Sequence, residues 1–194
     1  MIKGGALRDV PVGAFTPGDG LQQNIGQVSP EAQARVYRAV QENFGLVGRL
    51  LRHSGVFEDV DDALQQVFMT FLAKLDQVQP GKEKAFLAGC AVHVASRHRR
   101  ARGLRVQRFE PDPPDLAHTG ATPEAMAESR QRLHQLDSIL GEMDEGTSQV
   151  FLLFEVEELT MAEIAESLGL APGTVASRIR RAREFIRERL TDGG

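Results

Sequence analysis

The chain has 194 residues, room for one or two domains, with 41% hydrophobic residues and a formal net charge of −4. A single cysteine, Cys90, excludes an intrachain disulfide and fits a reducing cytoplasm. No apolar run approaches the ~18 residues of a membrane span and the first residues lack a signal-peptide apolar core, so a cytoplasmic protein without membrane insertion is expected.

Residues 1–28 hold six Gly and two Pro without periodicity and read as a flexible N-terminal extension. Ser29-Pro30-Glu31 is a helix start, and a first domain of helical pattern covers 29–108. Within it DVDDALQQVFMTFLAKL, residues 59–75, repeats Ala63, Val67, Phe71 and Leu75 at helical spacing, with Asp62, Gln65 and Gln66 on the polar face. After the loop DQVQPGKEK comes AFLAGCAVHVASRHRRARGLR, residues 85–105, which opens apolar and ends in Arg97, Arg99, Arg100, Arg102 and Arg105. Cations suit a helix C-terminus, so a solvated helix end is one reading of that cluster. Five arginines in nine residues exceed that need and point to tracking of phosphates.

Residues 109–123 form a linker, with four prolines in EPDPPDLAHTGATP at 110–123. Helical pattern resumes over 124–191. VFLLF at 150–154 has the period of a short strand as well, but no second strand is there to pair with it, so a buried helix is predicted. The fold class expected is all-α, two small helical domains on a flexible linker.

Residues 160–183 read TMAEIAESLGLAPGTVASRIRRAR. Thr160 and Glu163 are spaced as a capping box, Ile164, Ala165 and Leu168 share a face, Gly169 suits a left-handed helix end, and Pro172 suits a first helical turn. Val175, Ile179, Ala182 and Ile186 continue as an apolar stripe opposite Thr174, Ser177, Arg178, Arg180 and Arg181. Two short helices about a tight turn, the second basic, describe a helix-turn-helix. From Thr174 to Leu190 six Arg face two Glu, a local +4 in an acidic chain, and small polar residues sit where base edges would be met.

Other chemistry is sparse. Cys90 and His93 stand one helical turn apart, but His53, His98, His118 and His134 are scattered, so no metal site is expected. There is no Gly-rich phosphate loop and no nucleophile beside a base. No cofactor and no enzymatic activity are expected.

Asp62, Gln65 and Phe68, followed by Ala85-Phe86-Leu87 and a basic helix, resemble region 2 of bacterial RNA polymerase sigma factors. Residues 147–183 resemble region 4, in the two-domain arrangement of the extracytoplasmic-function group. The resemblance implies that Asp62, Gln65, Gln66 and Phe68 dock on core RNA polymerase. It implies that the loop and basic helix, through Gln79, Lys82, Lys84, Phe86, His93, Arg97 and Arg100, capture unpaired bases of the minus-ten element. Thr174, Ser177, Arg178, Arg180 and Arg181 would read the minus-thirty-five element of promoter DNA. It further implies an anti-sigma factor as partner. The chain departs from the family pattern at Phe86, usually Trp, at His93, commonly Asn, at Arg97, commonly Asp, and at Ala176, often basic. These departures bear on promoter sequence. Acidic stretches such as Glu58–Asp62 and Glu155–Glu158 suit basic polymerase surfaces and would repel free DNA.

Three functions from different classes stand on the sequence: a sigma factor, a free-standing helix-turn-helix regulator, and a protein-interaction module that reads no DNA. A regulator would need a dimer interface to span two half-sites, and no heptad remains to build one. The arginines in both domains speak against the third.

Overall fold

A computed structural model describes residues 24–26, 28–57, 59–102 and 138–192, the side chains of residues 99, 101, 102 and 192 excepted. They fall into two compact units, one within residues 12–107 and one within 108–194. Among the described residues every regular element is helical, so the fold is all-α. The linker at 109–123, Arg105, His118, His134, Glu58 and nearly all of the N-terminal extension lie outside the described residues.

The first unit is three helices. α1 runs Pro30–His53, with the Ser29 hydroxyl accepting the Ala32 amide at 3.3 Å and Pro30 in the first turn. α2 runs Val60–Ala73 and passes through a 3-10 turn, Leu75–Gln77, into the loop before α3, Glu83–Arg102. Each helix packs on the other two. The predicted stripe of Ala63, Val67, Phe71 and Leu75 is buried, and α3 meets it with Ala85, Leu87, Ala88, Ala91, Val94 and Ala95. Small side chains along α3 let its backbone come close to its neighbours, so the core is filled by Leu and Phe from α1 and α2.

Two expectations change here. Ile25 belongs to the stretch read as a flexible extension, yet it is buried and takes a hydrogen bond from the Val28 amide at 3.3 Å. One apolar residue among Gly and Gln makes no periodicity, so its burial left no pattern to read. Phe68 is placed by the family motif with the residues of the polar docking face. It is 0% exposed and stacked on Phe44, centroids 6.3 Å apart and planes 8° apart, so it belongs to the core beneath that face.

In the second unit, residues 138–142 are helical, α4 runs Glu145–Phe151, α5 Met161–Leu168 and α6 Pro172–Asp192. The VFLLF stretch is helical as predicted, but it widens after Phe151 into a π-type turn over Leu152–Val156, where the Glu157 amide donates to the Leu152 carbonyl at 3.0 Å. Glu158 then takes φ 54°, which ends the run. α6 packs on both α4 and α5, with Val175, Ile179 and Ala182 buried on it and Val150, Leu153, Ile164 and Ala165 buried on its neighbours, while Ile186 clusters with Leu140. No helix among the described residues is long and apolar enough to cross a membrane.

The reassignment of Phe68 is open to measurement. Removing a fully buried Phe side chain costs ~3–5 kcal/mol, whereas surface substitutions stay within ~0.5 kcal/mol. Phe68→Ala should therefore lower the denaturant midpoint of the first unit sharply, and Asp62→Ala should leave it nearly unchanged.

Candidate nucleic-acid interface

The exposed surface of the first unit follows from how its core is buried. With Leu64, Val67 and Phe71 facing inward, α2 turns Asp62 and Gln66 to solvent and leaves Gln65 half-buried beside them. Spacings of three and four residues put these three on one face, as the sequence predicts. On α3, Phe86, His93, Arg97 and Arg100 follow one another at seven, four and three residues, which is a single stripe along the helix. His93, Arg97 and Arg100 are exposed. Arg100 is steadied by hydrogen bonds to the Ser96 carbonyl and hydroxyl at 3.3 and 3.1 Å. Phe86 is half-buried, with its ring tilted 51° against Phe71 at 6.0 Å. Cys90 lies on the same stripe, and burial pushes its thiol up to about 11 against the pull of Lys74 and Arg97, so it carries no charge at neutral pH. No group of three or more His, Cys, Asp or Glu suited to a metal ion occurs among the described residues.

At the N-terminal end of the stripe sits the loop that carries Gln79 and Lys82, both exposed, with half-buried Lys84 just beyond. The Lys82 amide donates to the Gln79 carbonyl at 3.0 Å, and Gly81 at φ 87° takes the third position of the turn behind Pro80. That is the arrangement of a type II turn, which needs a left-handed residue there. The loop is tied to α1 by Arg35, whose guanidinium reaches the Glu83 carboxylate at 2.7 Å, the Leu75 carbonyl at 3.2 Å and the Val78 carbonyl at 2.5 Å. Nothing in the local sequence marks Arg35, because its partners lie 40 to 48 residues away.

The second unit presents its basic face from α6. The capping box closes as predicted: Glu163 donates its amide to the Thr160 hydroxyl at 3.2 Å and accepts the Thr160 amide at 3.0 Å. Gly169 has φ 64°, and the amides of Gly169 and Leu170 reach back to Glu166 and Ala165, a Schellman ending. This sharp stop turns the chain into α6. Arg180 and Arg181 are exposed, while Thr174, Ser177 and Arg178 are half-buried. The Ser177 hydroxyl donates to the Thr174 carbonyl at 2.9 Å. Arg178 folds back onto α4: a Cβ added at Gly146 would meet its guanidinium carbon at 2.9 Å. Asp144 caps α4 by accepting the Thr147 amide at 3.0 Å and lies 4.0 Å from Arg181. Burial alone would raise the Asp144 carboxyl, but the Thr147 hydrogen bonds and the two arginines outweigh it and hold it below its ordinary range. Asp144 and Gly146 were not singled out in the sequence. An Asp three residues before Thr147 was the available signal.

Part of the acidic surface expected on this unit is internal. Glu157 is buried, and Glu155 is bound by Arg183 at 2.6 Å, whose guanidinium also sits 5.5 Å from the Phe154 ring centroid. Glu158 is exposed, as are Asp61 and Asp62 in the first unit.

The family model described as Sigma-70, region 4 matches residues 133–186, which hold α4 to α6 up to Ile186. The RNA polymerase sigma factor CnrH of Cupriavidus metallidurans is 30% identical over 133 residues, 64% of this chain and 70% of CnrH. The ECF RNA polymerase sigma factor SigE of Mycolicibacterium smegmatis is 26% identical over 140 residues, 72% of this chain. The chain belongs to the extracytoplasmic-function (ECF) sigma factors. It spans about half of SigE, 54% of that protein's length. CnrH solved in complex with the cytosolic domain of CnrY superposes on this sigma factor with a TM-score of 0.60, covering 90% of this chain and 96% of that one. At 22% identity the likeness is one of fold.

One carboxylate of this sigma factor gives a pH test. Burial alone would raise the Glu83 carboxyl, but its own amide and the Arg35 guanidinium together hold it below its ordinary 4.5. A depressed carboxyl contributes stability that is complete above the unfolded value and lost as pH falls through the folded one. Unfolding followed between about pH 6 and pH 3 should therefore show a stability loss that Glu83→Gln reduces.

Proposed function

We propose that this ECF sigma factor binds core RNA polymerase and directs promoter recognition, DNA opening and transcription initiation at a specific set of genes. The observation that carries this reading is a basic helix face on each of two separate units, in a chain of this family whose net charge is −4. Residues 29–108 act as sigma region 2 and 124–191 as sigma region 4, joined by the linker 109–123. In region 2, Asp62, Gln65 and Gln66 dock on the polymerase. The loop and α3 stripe, Gln79, Lys82, Lys84, Phe86, His93, Arg97 and Arg100, hold the opened minus-ten strand. Cationic side chains follow the phosphates, and the exposed edge of Phe86 with His93 offers surfaces for an unpaired base.

In region 4, Thr174, Ser177, Arg178, Arg180 and Arg181 face the major groove of the minus-thirty-five element. The Gly169 stop supports this, because it lets α6 begin afresh with its small polar residues at the leading end. The folded-back Arg178 would have to leave Gly146 to meet a base, so Arg181 is the cleaner probe. CnrH was solved with the cytosolic domain of CnrY, and by analogy an anti-sigma factor is the inhibitory partner expected here. The protein works in the cytoplasm.

A self-sufficient regulator of the helix-turn-helix type is the reading to be separated. Each unit offers few phosphate contacts, and non-specific binding of that kind is on the order of 10⁻⁴–10⁻⁶ M at physiological salt. The purified protein should barely shift promoter DNA at about 150 mM salt, and together with core polymerase it should start transcripts at one promoter class. Asp62→Arg with Gln65→Ala leaves every proposed DNA contact in place and should abolish that activity. Tight, specific binding by the protein alone would make it an ordinary regulator. Arg181→Ala should weaken minus-thirty-five-dependent promoters by ~1–3 kcal/mol, seen as reduced run-off transcription, while promoters that do not depend on that element change little.

A further inference from the structure

The loop between α2 and α3 is fixed at its base and open at its tip. Leu75 and Val78 are buried, whereas residues 79–82 are exposed. Between this tip and α1 lies a cavity of about 430 Å³, lined by Arg35, Arg38, Glu42, Pro80, Gly81 and Glu83 among others. Beside that gap the guanidinium of Arg35 reaches from α1 to the loop. It joins the first residue of the 3-10 turn, the residue that follows that turn and the first residue of α3 through three acceptors. The Leu75 carbonyl also accepts the Val78 amide at 3.3 Å, so Arg35 adds a second bond to the one that closes the turn.

We propose that Arg35 is a positioning residue for this loop, holding Gln79 and Lys82 in one geometry before the opened strand arrives, so that base choice at the minus-ten element depends on a residue that touches no DNA. This rests on the reading of the loop as a minus-ten contact. Arg suits the role because its planar fork meets several acceptors at once, whereas the Lys ammonium is a single compact centre on a flexible stem. A loop left to order itself on binding would meet the cost of ordering at that step. The loss should then fall on opening and discrimination rather than on docking.

The test uses the full chain with Arg35→Ala, Arg35→Lys and Glu83→Gln. Hydrogen exchange on the free protein decides the clamp by itself: in Arg35→Ala the amides of 76–84 should exchange faster while those of α2 stay as in the unsubstituted protein. With core polymerase, Arg35→Ala should dock with unchanged affinity. It should open the promoter about tenfold more slowly by permanganate reactivity, the size of one lost base contact, and discriminate less between a promoter and its single-base minus-ten variants. Arg35→Lys should rescue only in part, and Glu83→Gln should lie between. Unchanged loop exchange, opening that matches the unsubstituted protein, or a fall in docking equal to the fall in opening would each overturn the proposal. If Arg35→Ala fails to fold, Glu83→Gln, which removes one acceptor's charge, carries the same comparison. Failure of the unsubstituted protein to open any promoter would instead overturn the sigma reading, and the exchange result would stand apart from it.

Discussion

The first unit depends on how closely α3 can lie against α1 and α2. Ala85, Ala88, Ala91 and Ala95 put little between its backbone and theirs, and Leu87 and Val94 fill what remains. A helix buried this tightly along one side has no freedom to rotate, since turning it would bring charged groups into the core. The direction of Phe86, His93, Arg97 and Arg100 is thereby set by alanines that have no functional chemistry of their own. The same packing fixes the start of α3 at Glu83, and with it one of the points that Arg35 can hold.

Arginine serves two purposes in this chain. Arg35 with Glu83, Arg183 with Glu155 and Arg189 with Glu142 are joined at 2.6 to 2.7 Å and spend their charge within their own unit. Arg97, Arg180 and Arg181 stand exposed, and the carboxylates near the latter two, Glu184 at 3.9 Å and Asp144 at 4.0 Å, lie at the edge of ion-pair range. Contacts that loose between exposed groups contribute little, so exchanging them for phosphates costs little. A count of arginines along α6 therefore overstates the charge available to DNA. Half of the six are placed on its DNA-facing side in the proposed reading, and Arg178 among these lies against Gly146.

Local signals were legible and long-range ones were not. Thr160 with Glu163, Gly169 and Pro172 each act within one turn of their own position, so their residue types alone announced α5, its stop and α6. The apolar stripes of α2 and α6 were legible for the same reason. The family motif joins Phe68 to Asp62 and Gln65, whereas helical spacing joins it to Leu64 and Phe71, both buried, and the spacing decides where its side chain lies. The π-type turn depends on how Leu152–Val156 fits under α6, which no period in that stretch expresses. The Arg35 clamp depends on tertiary packing across 48 residues. Of the site, the stripe on α3 and the face of α6 could be read, while the Arg35 support of the loop could not.

The division between read and unread residues has a physical origin. Groups that meet a partner must stay exposed, and on a helix exposure follows from periodicity. Groups that hold those residues in place are partly buried and paired, and their partners come from elsewhere in the chain. In each unit one such pairing lies beside the proposed contact: Arg35 beneath the Gln79–Lys82 turn, and Asp144 next to Arg178 and Arg181. The two differ in strength. Arg35 and Glu83 are 25% and 18% exposed and fully engaged, so that loop is set before any partner binds. Asp144 and Arg181 are 57% and 68% exposed and barely within range, so the α6 arginines can be redirected by a phosphate at small cost. Under the proposed function this suits the task of each unit. A loop that must select one unpaired base gains from rigidity, because disorder there would blur the choice. A helix that tracks a duplex gains from side chains able to adjust to the groove, and weak restraint by Asp144 leaves them that freedom.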